Sequence, residues 1–278
     1  MTDVAILGAG ELGGSLAHVL ARRGIVRRIE LIDPAGQVAA GKALDILQTG
    51  PVEGFDTQVR GSTDISRVAG AAIVVLADAA TPTADADPLL PLRQIAQLAA
   101  RSVVLCAGPE HRTIVERGVR DLRYARTRLF GSAPEALVAS MRALVALQTN
   151  GSARDVALAV LGVPPDHAVV AWDEATIGGF AATRVLQQPA RRKLSAQLGP
   201  LWPPGPHALA HAAVEAIAAM VGASRRTVCC FVAPDTAHGE RARTVALPVR
   251  LGPAGIAGVD HPTLSVGTQV ALDNAMLL

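Results

Sequence analysis

The stretch Val4-Ala5-Ile6-Leu7-Gly8-Ala9-Gly10-Glu11-Leu12-Gly13-Gly14, continuing through Ser15 to Arg23 and on to Ile29-Glu30-Leu31-Ile32-Asp33, decides the fold. A G-x-G-x-x-G pattern alone is weak, but this one leaves a four-residue apolar run and enters a helical pattern with Leu12, Leu16, Val19 and Leu20 on one side. A second strand closing on an acid follows. That context predicts strand, phosphate-binding turn, helix, strand. Gly8 permits the tight turn, Gly10 lets backbone N–H groups approach a pyrophosphate at the helix N-terminus, and Gly13 lets the helix lie close to the strand. Glu11 and Leu12 complete the turn, and Asp33 is expected to accept from the adenosine ribose hydroxyls. Its charge repels a 2′-phosphate, and Pro34, Ala35 and Gly36 supply no arginine to reverse that, so the expected cofactor is NAD rather than NADP.

With 278 residues, half of them apolar, the chain can bury a large core as one large or two medium domains. Aromatics are only 3%, so that core must be built from Ala, Val, Leu and Ile, which suits α/β layers. A formal charge of +2 is too small to argue for nucleic acid. The densest basic stretch, Arg117, Arg120, Arg123, Arg126 and Arg128, is interleaved with Glu116 and Asp121 and reads as a solvated helix face and loop. Cys106, Cys229 and Cys230 form no disulfide framework and suit a reducing compartment. No charged-then-apolar leader precedes Val4 and no apolar run reaches membrane-spanning length, so a cytoplasmic protein is expected.

Further along, Val38–Leu47 reads as a helix, 58–61 as a short strand, and Ser62 or Thr63 as a cap for the turn Ile65–Val68. Ala71–Ala77 and Ser102–Cys106 read as buried parallel strands, with helices at Leu89–Arg101 and from Thr113. Strands alternating with helices over the first 130 or so residues predict a doubly wound sheet. Beyond Gly131 the expected elements are a helix over Pro134–Leu147, a strand over Asp155–Gly162, a hairpin partner at Ala168–Ala171, helices at Val185–Leu198 and Ala208–Val221, antiparallel strands over Arg226–Val259, and a helix over Thr263–Leu277. The expected architecture is a Rossmann doubly wound parallel sheet (residues 1–131) plus a mixed α+β C-terminal substrate domain (residues 132–278).

The order of these elements and several words of sequence resemble the lactate/malate dehydrogenase family, nearer its malate-type members. The words are Gly8 to Gly14, Leu31-Ile32-Asp33, Gly41 to Gln48, Gly61-Ser62-Thr63-Asp64, Ala69-Gly70-Ala71, Ala175-Thr176-Ile177-Gly178-Gly179, Val245 to Val249 and Leu272-Asp273-Asn274-Ala275. The resemblance implies an NAD-binding Rossmann domain, a substrate domain, and homodimers or homotetramers. It also implies five catalytic groups, and at each the sequence departs. Holding Gly162 and Trp172 in the family's spacing puts Pro164 where the proton-donating histidine belongs and Asp166 at the turn's aspartate. Leu137 matches the acid that orients that histidine, and Ser140 matches the arginine that grips the substrate carboxylate. The mobile-loop arginines have no counterpart, since no Arg or Lys lies between Ala77 and Leu92. Gly108, to within one residue, matches the asparagine that contacts substrate and nicotinamide.

These losses agree with one another. A lone buried aspartate or an arginine without its anion is costly, and Leu137 and Ser140 remove both. The expected pocket is neutral and accepts a small molecule of unassigned chemistry, with no catalytic residue and no metal. Three readings follow. One is an NAD-binding family member that has lost 2-keto acid reduction and serves a binding, regulatory or assembly role. Another is an NAD-dependent oxidoreductase with a substitute proton donor among His167, His207 and His211. The last is an ordinary malate dehydrogenase whose catalytic residues align differently. His207 and His211, four apart at a helix start, read as pocket-lining residues beside the substrate site, and His18, His111, His238 and His261 as surface or core-edge residues.

Overall fold

The computed structural model describes residues 2–81, 87–233 and 243–277. Its elements in order are β1 (Asp3–Leu7), α1 (Glu11–Arg23), β2 (Arg28–Ile32), α2 (Gly36–Glu53), β3 (Gln58–Ser62), β4 (Ile73–Leu76), α3 (Leu90–Leu98), β5 (Val103–Cys106), α4 (Arg112–Leu122), β6 (Leu129–Gly131) and α5 (Ala133–Thr149). Next come β7 (Val156–Ala157), β8 (Val160–Val163), β9 (His167–Val170), β10 (Thr176–Ile177), β11 (Phe180–Ala181), α6 (Ala182–Val185), α7 (Gln188–Ser195) and α8 (Pro206–Met220). The chain closes with β12 (Val228–Val232), β13 (Val245–Gly252), β14 (Gly255–Val259) and α9 (Val266–Leu277).

The main sheet runs β3-β2-β1-β4-β5-β6-β12-β13-β8-β9, with β14 on β13. Strands β1 to β6 pair in parallel, and from the β6–β12 junction onward the pairing is antiparallel. This is the expected doubly wound sheet, and its antiparallel half continues it through the pair Phe231 and Gly131. The order 3-2-1-4-5-6 places a topological switch between β1 and β4. Ligands of open α/β sheets bind at the carboxyl ends of the strands beside such a switch.

The central parallel strands β4 and β5 are fully buried and built mainly of Val, Ile and Leu, as sheets covered on both faces require. Leu16 and Leu20 of α1 are fully buried, each worth about 1.5–3 kcal/mol. The alanine-rich α8 packs against both α1 and α5, small side chains letting one helix be buried among its neighbours. The cysteines are free and buried, and burial pushes their thiols up, away from the reactive thiolate. The basic stretch on α4 is an ion-pair network on Glu116 and Asp121, as a solvated face predicts. No helix among the described residues is long and apolar enough to cross a membrane.

Several boundaries differ from the sequence expectation. Helix α2 does not stop at Leu47 but continues through Pro51 to Glu53, ended by Gly54 at φ +76. Residues 155–162 are not one strand: β7 and β8 join different sheets. The helix expected over 185–198 is broken at Leu186, whose extended backbone separates α6 from α7. The turn at 65–68 is capped by Asp64, whose Oδ1 accepts from Ser66 N–H at 2.9 Å, not by Ser62 or Thr63.

Two glycines predict opposite outcomes. A Cβ on Gly61 would run into the Ala39 carbonyl of α2, whereas one on Gly41 would meet nothing within 4 Å. Denaturant unfolding is expected to show Gly61→Ala losing about 1–3 kcal/mol from overpacking, and Gly41→Ala gaining up to about 1 kcal/mol from helix propensity.

Candidate cofactor and active-site cleft

The glycine turn joins β1 to α1 at the switch. Gly8 holds φ +112 and its N–H donates to the Ile32 carbonyl at 2.8 Å. A Cβ on Gly13 would overlap the Gly8 carbonyl, so this helix lies on its strand as the spacing predicts. Behind the turn, Lys42 Nζ donates to the Gly10 carbonyl at 2.6 Å. Glu11 is exposed and Leu12 buried.

Asp33 ends β2 as expected, but only 1% of it is exposed. Its Oδ2 accepts from Ala9 N–H at 2.7 Å and Ala80 N–H at 2.8 Å, and its Oδ1 from Ala35 N–H at 2.8 Å. A residue missed in the sequence completes the turn. Asp78, just past β4, accepts from Gly13 N–H on Oδ1 at 2.9 Å and from Leu12 N–H on Oδ2 at 3.2 Å, and its carbonyl accepts from Gly10 N–H at 2.9 Å. The signal was available, because an acid directly after a buried parallel strand next to a glycine turn sits at a switch point.

A cavity of about 370 Å³ extends from Asp78 to Gly108, bounded by Leu12, Pro204 and Leu209. Here His111, expected at a surface or core edge, lies inside the cleft. Gly108 N–H donates to its Nδ1 at 3.1 Å, and the ring packs where a Cβ of residue 108 would stand. Burial holds His111 down at about 4, against the opposing pull of Asp78, so the ring is neutral at physiological pH. Glu11, Asp78 and Glu110 border this cavity and, among the described residues, no lysine or arginine does. The acids come from the helix start, the β4 exit and the turn at 109–111.

Leu137 of α5 is fully buried in an apolar cluster with Met141, Val160, Val170 and Cys229. Ser140 turns its Oγ back to the Ala136 carbonyl of its own helix at 3.1 Å. Pro164 is buried in the three-residue link between the paired ends Val163 and His167 of β8 and β9. Asp166 and His167 are exposed. His207 and His211 do not border the Gly108 cavity. They line a separate one of about 570 Å³ with His18, Lys42 and Asp45, where Ser15 Oγ lies 3.0 Å from His207 Nδ1. Among the described residues no three potential metal ligands converge. His238 and much of the β4–α3 loop lie outside the described residues.

On another face of α5, Glu135, Arg142, Arg226 and His261 border a cavity of about 550 Å³. Cys229 N–H donates to Glu135 Oε2 at 2.8 Å. Burial nevertheless pushes the Glu135 carboxyl up to about 7, against that bond and the charges of Arg226 and Arg142.

Sheet order, glycine turn and terminal acid define a dinucleotide-binding α/β protein. Residues 2–85 match the family model of the lactate/malate dehydrogenase NAD-binding domain. A malate dehydrogenase of Thioalkalivibrio sulfidiphilus is 30% identical over 301 residues, covering 99% of this chain and 96% of that protein. One from Staphylococcus carnosus is 30% identical over 293 residues, covering 98% and 94%. Among solved structures, the lactate dehydrogenase of Cryptosporidium parvum complexed with lactic acid and NAD superposes with a TM-score of 0.87 at 19% identity, covering 99% of this chain and 94% of that one. The Salinibacter ruber malate dehydrogenase gives 0.86 at 20%, covering 98% and 93%. The chain belongs to the lactate/malate dehydrogenase family and carries its NAD-binding domain. The Asp33 carboxylate is where the cofactor's ribose needs an acid, but the diphosphate does not fit the turn as folded, since the Leu12 and Gly13 donors are taken by Asp78.

The raised Glu135 sets a pH signature. Between about pH 4.5 and 7 the folded state keeps a proton that the unfolded chain has lost, so this group's contribution to stability falls as pH rises. Thermal unfolding at pH 5 and pH 8 is expected to show Glu135→Gln gaining on the wild type at the higher pH, by on the order of 1–3 kcal/mol. Parallel profiles would rule this out.

Proposed function

We propose that this chain is an NAD-binding member of its family that does not reduce 2-keto acids and serves a binding, regulatory or assembly role. The observation that carries the reading is the buried apolar setting of Leu137, at the position the resemblance assigns to the histidine-orienting acid. Pro164 cannot titrate, and Ser140 Oγ bonds its own helix, so neither a proton donor nor a carboxylate clamp stands at those positions. Losing general acid catalysis alone costs about 10²- to 10⁴-fold. The acidic lining of the Gly108 cavity further disfavours an anionic keto acid.

A substitute proton donor finds little support. His207 and His211 line a different cavity and His167 is exposed on β9. His111 does border the cleft, but burial holds its conjugate acid down at about 4, leaving little imidazolium to donate near pH 7. The proposed division into an NAD-binding unit, 1–131, and a C-terminal unit, 132–278, follows the change from parallel to antiparallel pairing after β6. Exposed Val38, Leu44 and Leu47 on α2 support assembly as a homodimer or homotetramer, and the reduced cysteines a cytoplasmic setting.

With NADH and either oxaloacetate or pyruvate, turnover should not rise above background. Ordinary dehydrogenase rates would end this reading. A double-mutant cycle tests the positional correspondence. Leu137→Asp alone should cost about 3–5 kcal/mol as an unpaired buried charge. Adding Pro164→His should recover at least about 1 kcal/mol if the two positions face one another.

A further inference from the structure

We propose that Asp78 is an internal competitor for the cofactor's diphosphate, so that NAD enters only when the segment Asp78–Ala80 leaves the glycine turn. This rests on reading that turn as the NAD cradle. A helix N-terminus attracts an anion through its unpaired N–H groups and its dipole. At α1 the anion is already present. The Asp78 carboxylate gives one oxygen to Leu12 N–H and the other to Gly13 N–H, a two-oxygen, two-donor arrangement of the kind a phosphate group would make.

Three further observations fix the plug in place. The Asp78 carbonyl takes Gly10 N–H, the donor the motif reserves for close approach to a pyrophosphate. Gly10 must lack a side chain for this contact, because a Cβ there would overlap the Asp78 carboxylate. Two residues on, Ala80 N–H donates to Asp33 Oδ2, closing the acid expected to hold the ribose. One short segment therefore covers both the diphosphate and the ribose anchors.

Binding is consequently an exchange of one anion for another. A diphosphate beside an undisplaced Asp78 would set like charges against each other at donors that are already used, with Glu11 adding a further negative charge at the same cavity. For the cofactor to bind, Asp78 must first give up its two charge-assisted hydrogen bonds, and Ala80 must release Asp33. The wild-type chain is thus a weak NAD binder whose affinity is set by a residue that need not touch the cofactor.

NADH fluorescence titrations on the wild type, Asp78→Ala and the nearly isosteric Asp78→Asn test this, with ADP-ribose and adenosine titrated by calorimetry. Asp78→Ala should bind NADH and ADP-ribose at least tenfold tighter than wild type, with Asp78→Asn between them, and adenosine, which needs Asp33 released but meets no charge at Asp78, should gain by a clearly smaller factor. Without ligand, Asp78→Ala should melt lower than wild type, because Leu12 and Gly13 lose their acceptor, and saturating NADH should more than restore it. Equal NADH affinity in all three proteins would overturn the proposal while leaving the NAD reading intact. An equal gain for adenosine would overturn it too, by moving the effect away from the diphosphate. If none of the three binds NADH at millimolar concentration, both the proposal and the NAD reading fall.

Discussion

The structure turns on an anion at the N-terminus of α1. The turn that carries those N–H groups is fixed from three sides: by the β2 carbonyl of Ile32, by Lys42 from α2, and by the residue leaving β4. The switch between β1 and β4 creates the crevice, and the glycines strip it of side chains so that something charged can reach the backbone. In this chain that something is covalently attached. The carboxylates of Asp78 and Asp33 satisfy five backbone N–H groups between them, those of Leu12, Gly13, Ala9, Ala35 and Ala80. These backbone donors beside the glycine turn are thereby satisfied from within the chain.

Much of this fold was legible in residue order. The apolar runs at 71–77 and 102–106, flanked by helical periodicity, permit little but parallel strands, and the glycine turn fixes which strand begins the sheet. What escaped was mostly set by tertiary contacts. The helix expected to end at Leu47 carries on through Pro51 to a glycine in left-handed conformation. The stretch 155–162 looks like one strand because its apolar content is continuous, whereas its two ends serve different sheets. At the site, the position of Asp33 was readable because it lies at the end of a strand. His111 and Glu135 were not, because their environments are made by burial between segments far apart in sequence.

The chemistry of the cleft follows one electrostatic logic. At the positions that the resemblance assigns to a histidine, an aspartate and an arginine stand a proline, a leucine and a serine, and none of the three needs a charged partner. On the proposed reading, neutral residues at all three positions leave no buried ion behind, whereas a lone charge there would be costly. The acids that remain are differently placed. Asp78 faces backbone donors, and Glu135 stays on a separate face of α5 with a backbone N–H and nearby arginines. The cavity by Gly108 is bordered by Glu11, Asp78 and Glu110 and, among the described residues, by no lysine or arginine, so it disfavours an anionic ligand.

A ligand that binds only the folded state stabilises it in proportion to the logarithm of its concentration over its dissociation constant. A glycine turn completed by a free dinucleotide therefore ties stability to the nucleotide supply. A turn completed by Asp78 does not, because the competing anion is always present at the effective concentration of a tethered group. The same contact that weakens cofactor binding thus frees the fold from needing it. If, as proposed, the chain does not carry out hydride transfer, it has no chemical demand for rapid cofactor exchange, and satisfying those N–H groups with its own carboxylate is the more stable solution. Under the proposed function, neutral catalytic positions and a closed nucleotide cradle are two consequences of one relaxation: where no anion has to be held and turned over, every group that waited for one is better paired within the chain.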